Sequence, residues 1–163
     1  MKEIGKLISE MIQYYSGDVK RISHFLKVYA LAKAIGESEE LDSVKQEILE
    51  VAAVVHDIGI KISEIKYNSS AGHYQEVEGP IVAMELLKKL EYSEELISRV
   101  CFLIANHHTY NDIKESDHQI LVEADFLVNI GEEGISVEGI KKIQEKIFKT
   151  YTGLKYLSNM HMS

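Results

Sequence analysis

Five of the seven histidines, His24, His56, His73, His107 and His108, fall where they could converge. Two aspartates share such settings. Asp57 follows His56 directly at the end of the apolar run VAAVV, and Asp125 has Leu121, Val122 and Val128 on its helical face. An unpaired carboxylate buried on such a face is costly and must shift its pKa or find a partner. A divalent cation is one such partner. Imidazole suits Mn, Fe, Co, Ni and Zn, and carboxylate also accepts Mg or Mn. His24, His56, Asp57 and Asp125, drawn from three helices, would leave positions open for water or phosphate oxygens, as a catalytic metal requires.

Taken singly, each residue has a plainer reading. A histidine on an apolar face is more often a hydrogen-bonded core residue, and a buried aspartate is more often paired or capping a helix. The adjacent pair His107-His108 ends an apolar helix just before a polar loop, where imidazolium also favours a helix C-terminus. His73 lies in the polar stretch GHYQEVEG, in which Glu76 or Glu78 could serve in its place. His118 and His161 read as solvated. Three cations stand near the cluster. Arg21 is one helical turn before His24, Lys61 follows the doublet by four residues, and Lys66 lies just beyond. The guanidinium fork suits phosphate oxygens.

The elements that must position these groups are helical. Apolar residues recur at helical spacing and no strand-like alternation stands out. Residues 2–16 carry Ile4, Leu7, Ile8, Met11 and Ile12 on one face. Asp18 can cap a second helix over about 19–35, on which His24, Val28, Leu31 and Ile35 form one line. A third starts near Ser43, with Gln46 completing a capping box, and stops near Gly59. The polar stretch 61–80 reads as a loop with a short helix inside it, the natural lid of a site. Pro80 reads as the first turn of a helix over 80–90, and Ser93 opens the next, which runs to His107-His108. Asp117 or His118 opens a helix ended by Gly131. Stretches 136–148 and 153–160 complete an all-α fold of seven to nine helices in one domain over 1–163, with its core at about 19–148.

Composition narrows the partners. The chain has 163 residues, 45% hydrophobic and 27% charged, with a net charge of −8. Duplex nucleic acid and an anionic membrane surface are poor partners for that charge, whereas a small anion can bind beside local cations or a metal. The single Cys101, in an apolar run, reads as a small core residue. No apolar block resembles a secretory signal or a membrane span, so the expected location is cytoplasmic. The oligomeric state is left open, a homo-oligomer included.

The order His, then His-Asp at the end of an apolar helix, then a late Asp within a helix resembles the HD-domain superfamily of metal-dependent phosphohydrolases. The segments carrying it are RISHFLKVYALAKAIG, EVAAVVHDIGI and ILVEADFLVNI. The resemblance implies metal ligands at His24, His56, Asp57 and Asp125, and a divalent ion (Mn, Fe, Co, Ni, Zn or Mg). It also implies a second ion in some members, for which His107, His108, His73 or Glu78 are the candidates. The expected chemistry is attack of metal-activated water on a small phosphorylated substrate, a nucleotide or a phosphorylated metabolite. Asp57 and Asp125 serve the metal and the water proton, and Arg21 or Lys61 offsets phosphate charge. Two alternatives stand beside it: a di-iron oxygenase on the same fold, for which His107-His108 speaks, and a non-catalytic metal- or nucleotide-binding module.

Overall fold

Side chains at the helix starts explain where the elements begin. Asp18 accepts the Arg21 N–H at 3.1 Å and opens α2 (Val19–Ser38), after α1 (Ile4–Tyr14). Asp42 accepts the Lys45 N–H at 2.9 Å and opens α3 (Ser43–Val55). Ser93 caps α6 (Glu94–Asn106), Ser136 caps α8 (Val137–Lys146) and Thr150 caps α9 (Tyr151–His161). Each such cap is worth about 1 kcal/mol. With α4 (Ile60–Tyr67), α5 (Gly72–Lys89) and α7 (Ser116–Glu133), the computed structural model describes residues 2–163 as nine helices, with no strand among them. Among the described residues, no helix is long and apolar enough to cross a membrane.

The all-α expectation therefore holds, and the core explains it. α3 lies at the centre, packed by α1, α2, α6 and α7. From Ile48 to Val55 every α3 residue is buried, Glu50 included. Its apolar members meet Phe25, Val28 and Ile35 of α2, Leu103 and Ile104 of α6, and Leu121 and Leu127 of α7 in one cluster. A fully buried aliphatic side chain of this kind contributes roughly 1.5–3 kcal/mol. The central helix thus delivers the His56-Asp57 doublet from its C-terminus into the middle of the bundle.

Several local expectations change. The stretch 61–80 is not mainly a loop: α4 and the first half of α5 occupy it, separated only by residues 68–71. Its polar composition hid the packing. Gln75, Glu78 and Gly79 are buried, and a Cβ on Gly59 would come within 2.8 Å of the Gln75 and Gly79 backbone. Pro80 accordingly stands inside α5 rather than in its first turn, because that close contact fixes the chain as helix on both sides of it. Asp42, not Ser43, caps α3, and Gln46 instead donates to Lys33 O and Glu50. α7 starts at Ser116 and runs past Gly131 to Gly134, whose φ of 62° is the left-handed conformation glycine adopts most easily. Cys101 is only half-buried, its thiol directed at Pro80 O.

His118 and His161 are not solvated. His118 is buried and its Nε2 donates to Asn106 O at 3.0 Å, while His161 Nε2 donates to Leu127 O at 2.8 Å. Each ties one helix to another.

Candidate metal centre

His56 and His107 hold the same local position: each follows the last residue of a helix, α3 or α6. Carbonyls at a helix end lack partners within the helix. The His56 Nδ1–H donates to Ala53 O at 2.7 Å, and the His107 Nδ1–H donates to Ile104 O at 2.7 Å. A carbonyl only accepts, so each Nδ1 carries the proton and each Nε2 is turned inward. Both rings are nearly inaccessible, 2% and 1% exposed.

His24 arrives from α2, with its side chain 12% exposed, and Asp125 from the middle of α7. His24 Nε2 lies 3.3 Å from His56 Nε2, 3.3 Å from Asp57 Oδ2 and 3.2 Å from Asp125 Oδ1. His56 Nε2 lies 3.3 Å from each of the same two carboxylate oxygens. An ion with bonds of about 2.0–2.1 Å holds neighbouring ligand atoms roughly 3 Å apart. The donor set therefore fits a cation. Asp125 Oδ1 is buried, and no donor other than the two imidazoles reaches it, so a cation would take their place.

Asp57 is shared. Its Oδ2 faces His24 and His56, while its Oδ1 is 3.3 Å from His107 Nε2. Asp57, His107 and His108 form a second triad whose ligand atoms lie within 4.8 Å of one another. His107 Nε2 and His108 Nε2 are also buried and unpartnered. Gly72, at the start of α5, covers the His108 ring so closely that a Cβ there would stand 2.9 Å from it. Burial, and then His107, push the His108 imidazole down to about 4, so it presents a neutral lone pair.

The turn bearing Asp57 is held from outside. The buried Tyr15 hydroxyl donates to Asp57 O at 2.7 Å, and Tyr14 donates to Ile58 O at 3.0 Å. Burial opposes the Asp57 charge, yet His56, His107 and His24 outweigh it and hold its pKa well below the ordinary carboxylate range. Asp125 is lowered in the same way by His24 and His56 against its own desolvation.

The remaining expected residues are placed variously. Arg21 lines a cleft of about 410 Å³ that opens onto His24 and Asp57, together with Asp18, Lys20, Asn129 and Glu132. Its guanidinium grips Glu64 of α4 with two hydrogen bonds of 2.8 and 2.9 Å. Lys61 is exposed, donating to Tyr14 O at 3.1 Å and lying over the Tyr14 ring. His73 is exposed against Tyr74, which stacks on Tyr67 at 4.1 Å. Glu78 is buried in an ion pair with Lys66 at 2.6 Å, and Glu76 accepts the His108 N–H and the Thr109 hydroxyl. Neither His73 nor Glu78 joins the two triads.

Sequence reasoning missed Glu132 and Tyr15. Glu132 Oε1 lies 2.7 Å from His24 Nδ1. A signal was present: Asp125, Asn129 and Glu132 follow one another at i, i+4 and i+7. The contact of Tyr15 spans 42 residues and no local pattern announces it.

Imidazoles and carboxylates from separate helices of an all-α bundle, gathered around the end of a buried central helix, define a His/Asp metal-site class. The HD domain family model matches residues 21–144, and the chain belongs to that family. The chain is also similar to a crystal structure described as a predicted HD superfamily hydrolase from an uncultured Thermotogales bacterium. The two share 22% identity with a TM-score of 0.66, over 96% of this chain and 82% of that one, a likeness of fold. No curated protein matches the chain.

Proposed function

We propose that the protein is a metal-dependent phosphohydrolase acting on a small phosphate ester, a nucleotide or a phosphorylated metabolite. The observation that carries this is the pair of imidazoles of His24 and His56, 3.3 Å apart, each with a carboxylate oxygen of Asp57 and of Asp125 at 3.2–3.3 Å, beside a cleft lined by Lys20 and Arg21. Membership in the HD domain family and the likeness to a predicted hydrolase support it.

His24, His56, Asp57 and Asp125 would hold one divalent ion, and Asp57, His107 and His108 a second. A divalent cation there supplies Lewis acidity, lowering the pKa of a water from 15.7 to roughly 7 and withdrawing charge from a phosphoryl oxygen. Asp125, whose Oδ1 faces the two imidazoles, would take the proton of the attacking water. The water oxygen bonds to phosphorus, the ester P–O bond breaks, and the alcohol leaves with a proton. Arg21, released from Glu64, meets the phosphate oxygens from the rim of the cleft. Lys61 has a weaker claim to that role, since its ammonium is engaged by Tyr14. One such donor is worth about 3 kcal/mol in the transition state.

The test is a phosphate-ester screen with Mn, Co, Ni and Mg, run on the native protein and on Asp57→Ala. Hydrolysis by the first and none by the second, with helical content retained, is the expected result. A folded, metal-free Asp57→Ala protein with full activity would remove the mechanism. The second triad favours one other reading, a di-iron oxygenase. Two irons per chain on whole-protein metal analysis, with no phosphatase activity, would select it.

A further inference from the structure

We infer that Glu132 is the positioning residue of this centre: its carboxylate fixes the His24 ring so that Nε2 faces Asp57, His56 and Asp125. The inference rests on the metal reading above and concerns a residue outside the donor set.

The three inward-turned imidazoles are oriented by two different means. His56 and His107 sit at helix ends, where the carbonyl three residues back is free to accept their Nδ1–H. His24 has no such acceptor. It lies within α2, where backbone carbonyls are engaged in the helix itself. The partner for its Nδ1–H must come from another element, and α7 supplies it. Glu132 Oε1 receives that proton at 2.7 Å, while Lys27, one turn after His24, reaches Oε2 at 3.4 Å. Asp125 and Glu132 are seven residues apart on one face of α7, so one helix contributes both a donor facing His24 Nε2 and the group holding His24 Nδ1. The acceptor here is an anion, whereas it is a neutral carbonyl for the other two rings. An anionic partner makes the imidazole a stronger ligand, and loss of such a partner typically weakens metal binding roughly 10- to 100-fold. The side chain is 21% exposed at the cleft, so replacing it opens no core cavity.

The experiment is zinc titration by calorimetry on native protein, Glu132→Ala and the isosteric Glu132→Gln. NMR of the imidazole N–H protons is recorded on the zinc-loaded forms. Glu132→Ala should bind zinc roughly 10- to 100-fold more weakly, with Glu132→Gln intermediate because its amide oxygen still accepts. The His24 Nδ1 proton should resonate downfield of those of His56 and His107 in the native protein, and move upfield in Glu132→Gln while the other two stay in place. Native zinc affinity in both variants, or an unmoved His24 proton, overturns the inference and leaves the metal reading standing. A native protein that binds no zinc overturns both.

Discussion

A cation can enter this centre only by displacing protons. In the protein without metal, the nearest countercharges for Asp57 and Asp125 are imidazolium rings. Burial pushes the His24 ring down, but Asp125 and Asp57 outweigh it and hold its pKa up to about 10. His56 carries a burial penalty too and is nevertheless held well above its ordinary value, chiefly by Asp57 and then Asp125. Both rings are thus held towards the charged form, which places a proton on the Nε2 that a metal would need. Binding should release close to two protons. Each proton makes the apparent association constant tenfold larger per pH unit, so two give about 100-fold, equivalent to about 2.7 kcal/mol per unit. Calorimetric titration with Mn between pH 6 and 7.5, in two buffers of unlike ionisation enthalpy, counts the protons directly. Asp57→Asn removes one of the two carboxylates that charge these rings, and its proton release should fall to about one. Release below one proton in the native protein, with affinity flat across the range, would refute the reasoning, because the rings would then be neutral and already available.

The same charges set the stability of the metal-free protein. The His24 pKa is raised on folding, so its contribution is complete below the unfolded value of 6.5 and is lost as pH climbs towards about 10. Urea midpoints should therefore fall between pH 6.5 and 9.5 without metal and stay level when metal is bound. Away from the site, Gly153→Ala should destabilise the fold by about 3 kcal/mol, since the new Cβ collides with the buried Glu123 carboxylate. That carboxylate accepts from Lys149 N, Thr150 N, the Thr150 hydroxyl and Gln119, and so fastens the start of α9; a thermal melt reads the loss.

What could be read from the residues and what could not follow one physical division. The helices along α2, α3 and α7 were legible because apolar spacing reports a buried face wherever it lies. His24, His56, Asp57 and Asp125 were legible because charge-bearing residues interrupted those faces. The stretch 61–80 was not, since α5 owes its first half to backbone contact between Gly59 and Gly79 and to the buried Glu78 carboxylate, which the exposed Lys66 reaches from outside. Neither leaves an apolar pattern. His118 and His161 were misjudged for a related reason: each satisfies a carbonyl on another helix, and only tertiary structure tells which carbonyl is near. Glu132 lay in plain sight on the Asp125 face, hidden by the expectation that Gly131 ends the helix.

Charge balance connects the centre to the kind of substrate proposed for it. Two carboxylates, the buried Asp125 and the half-buried Asp57, offset one divalent cation completely, and that set leaves no net charge in a medium of low dielectric. The second triad adds His107 and His108 but no new carboxylate, because Asp57 is already shared. Glu76 stands nearby, yet its Oε2 is spent on the His108 N–H and Thr109. A second divalent ion would therefore bring two positive charges that the inner donors do not cancel. An anionic ligand carrying close to two negative charges at neutral pH, as a phosphate monoester does, supplies the missing amount. The cleft on the His24 side, with Lys20 and Arg21 at its rim, is where such an anion can reach the centre. On the proposed reading a second ion and a phosphate would each favour the binding of the other, and the doubled histidine at the end of α6 would serve that substrate class.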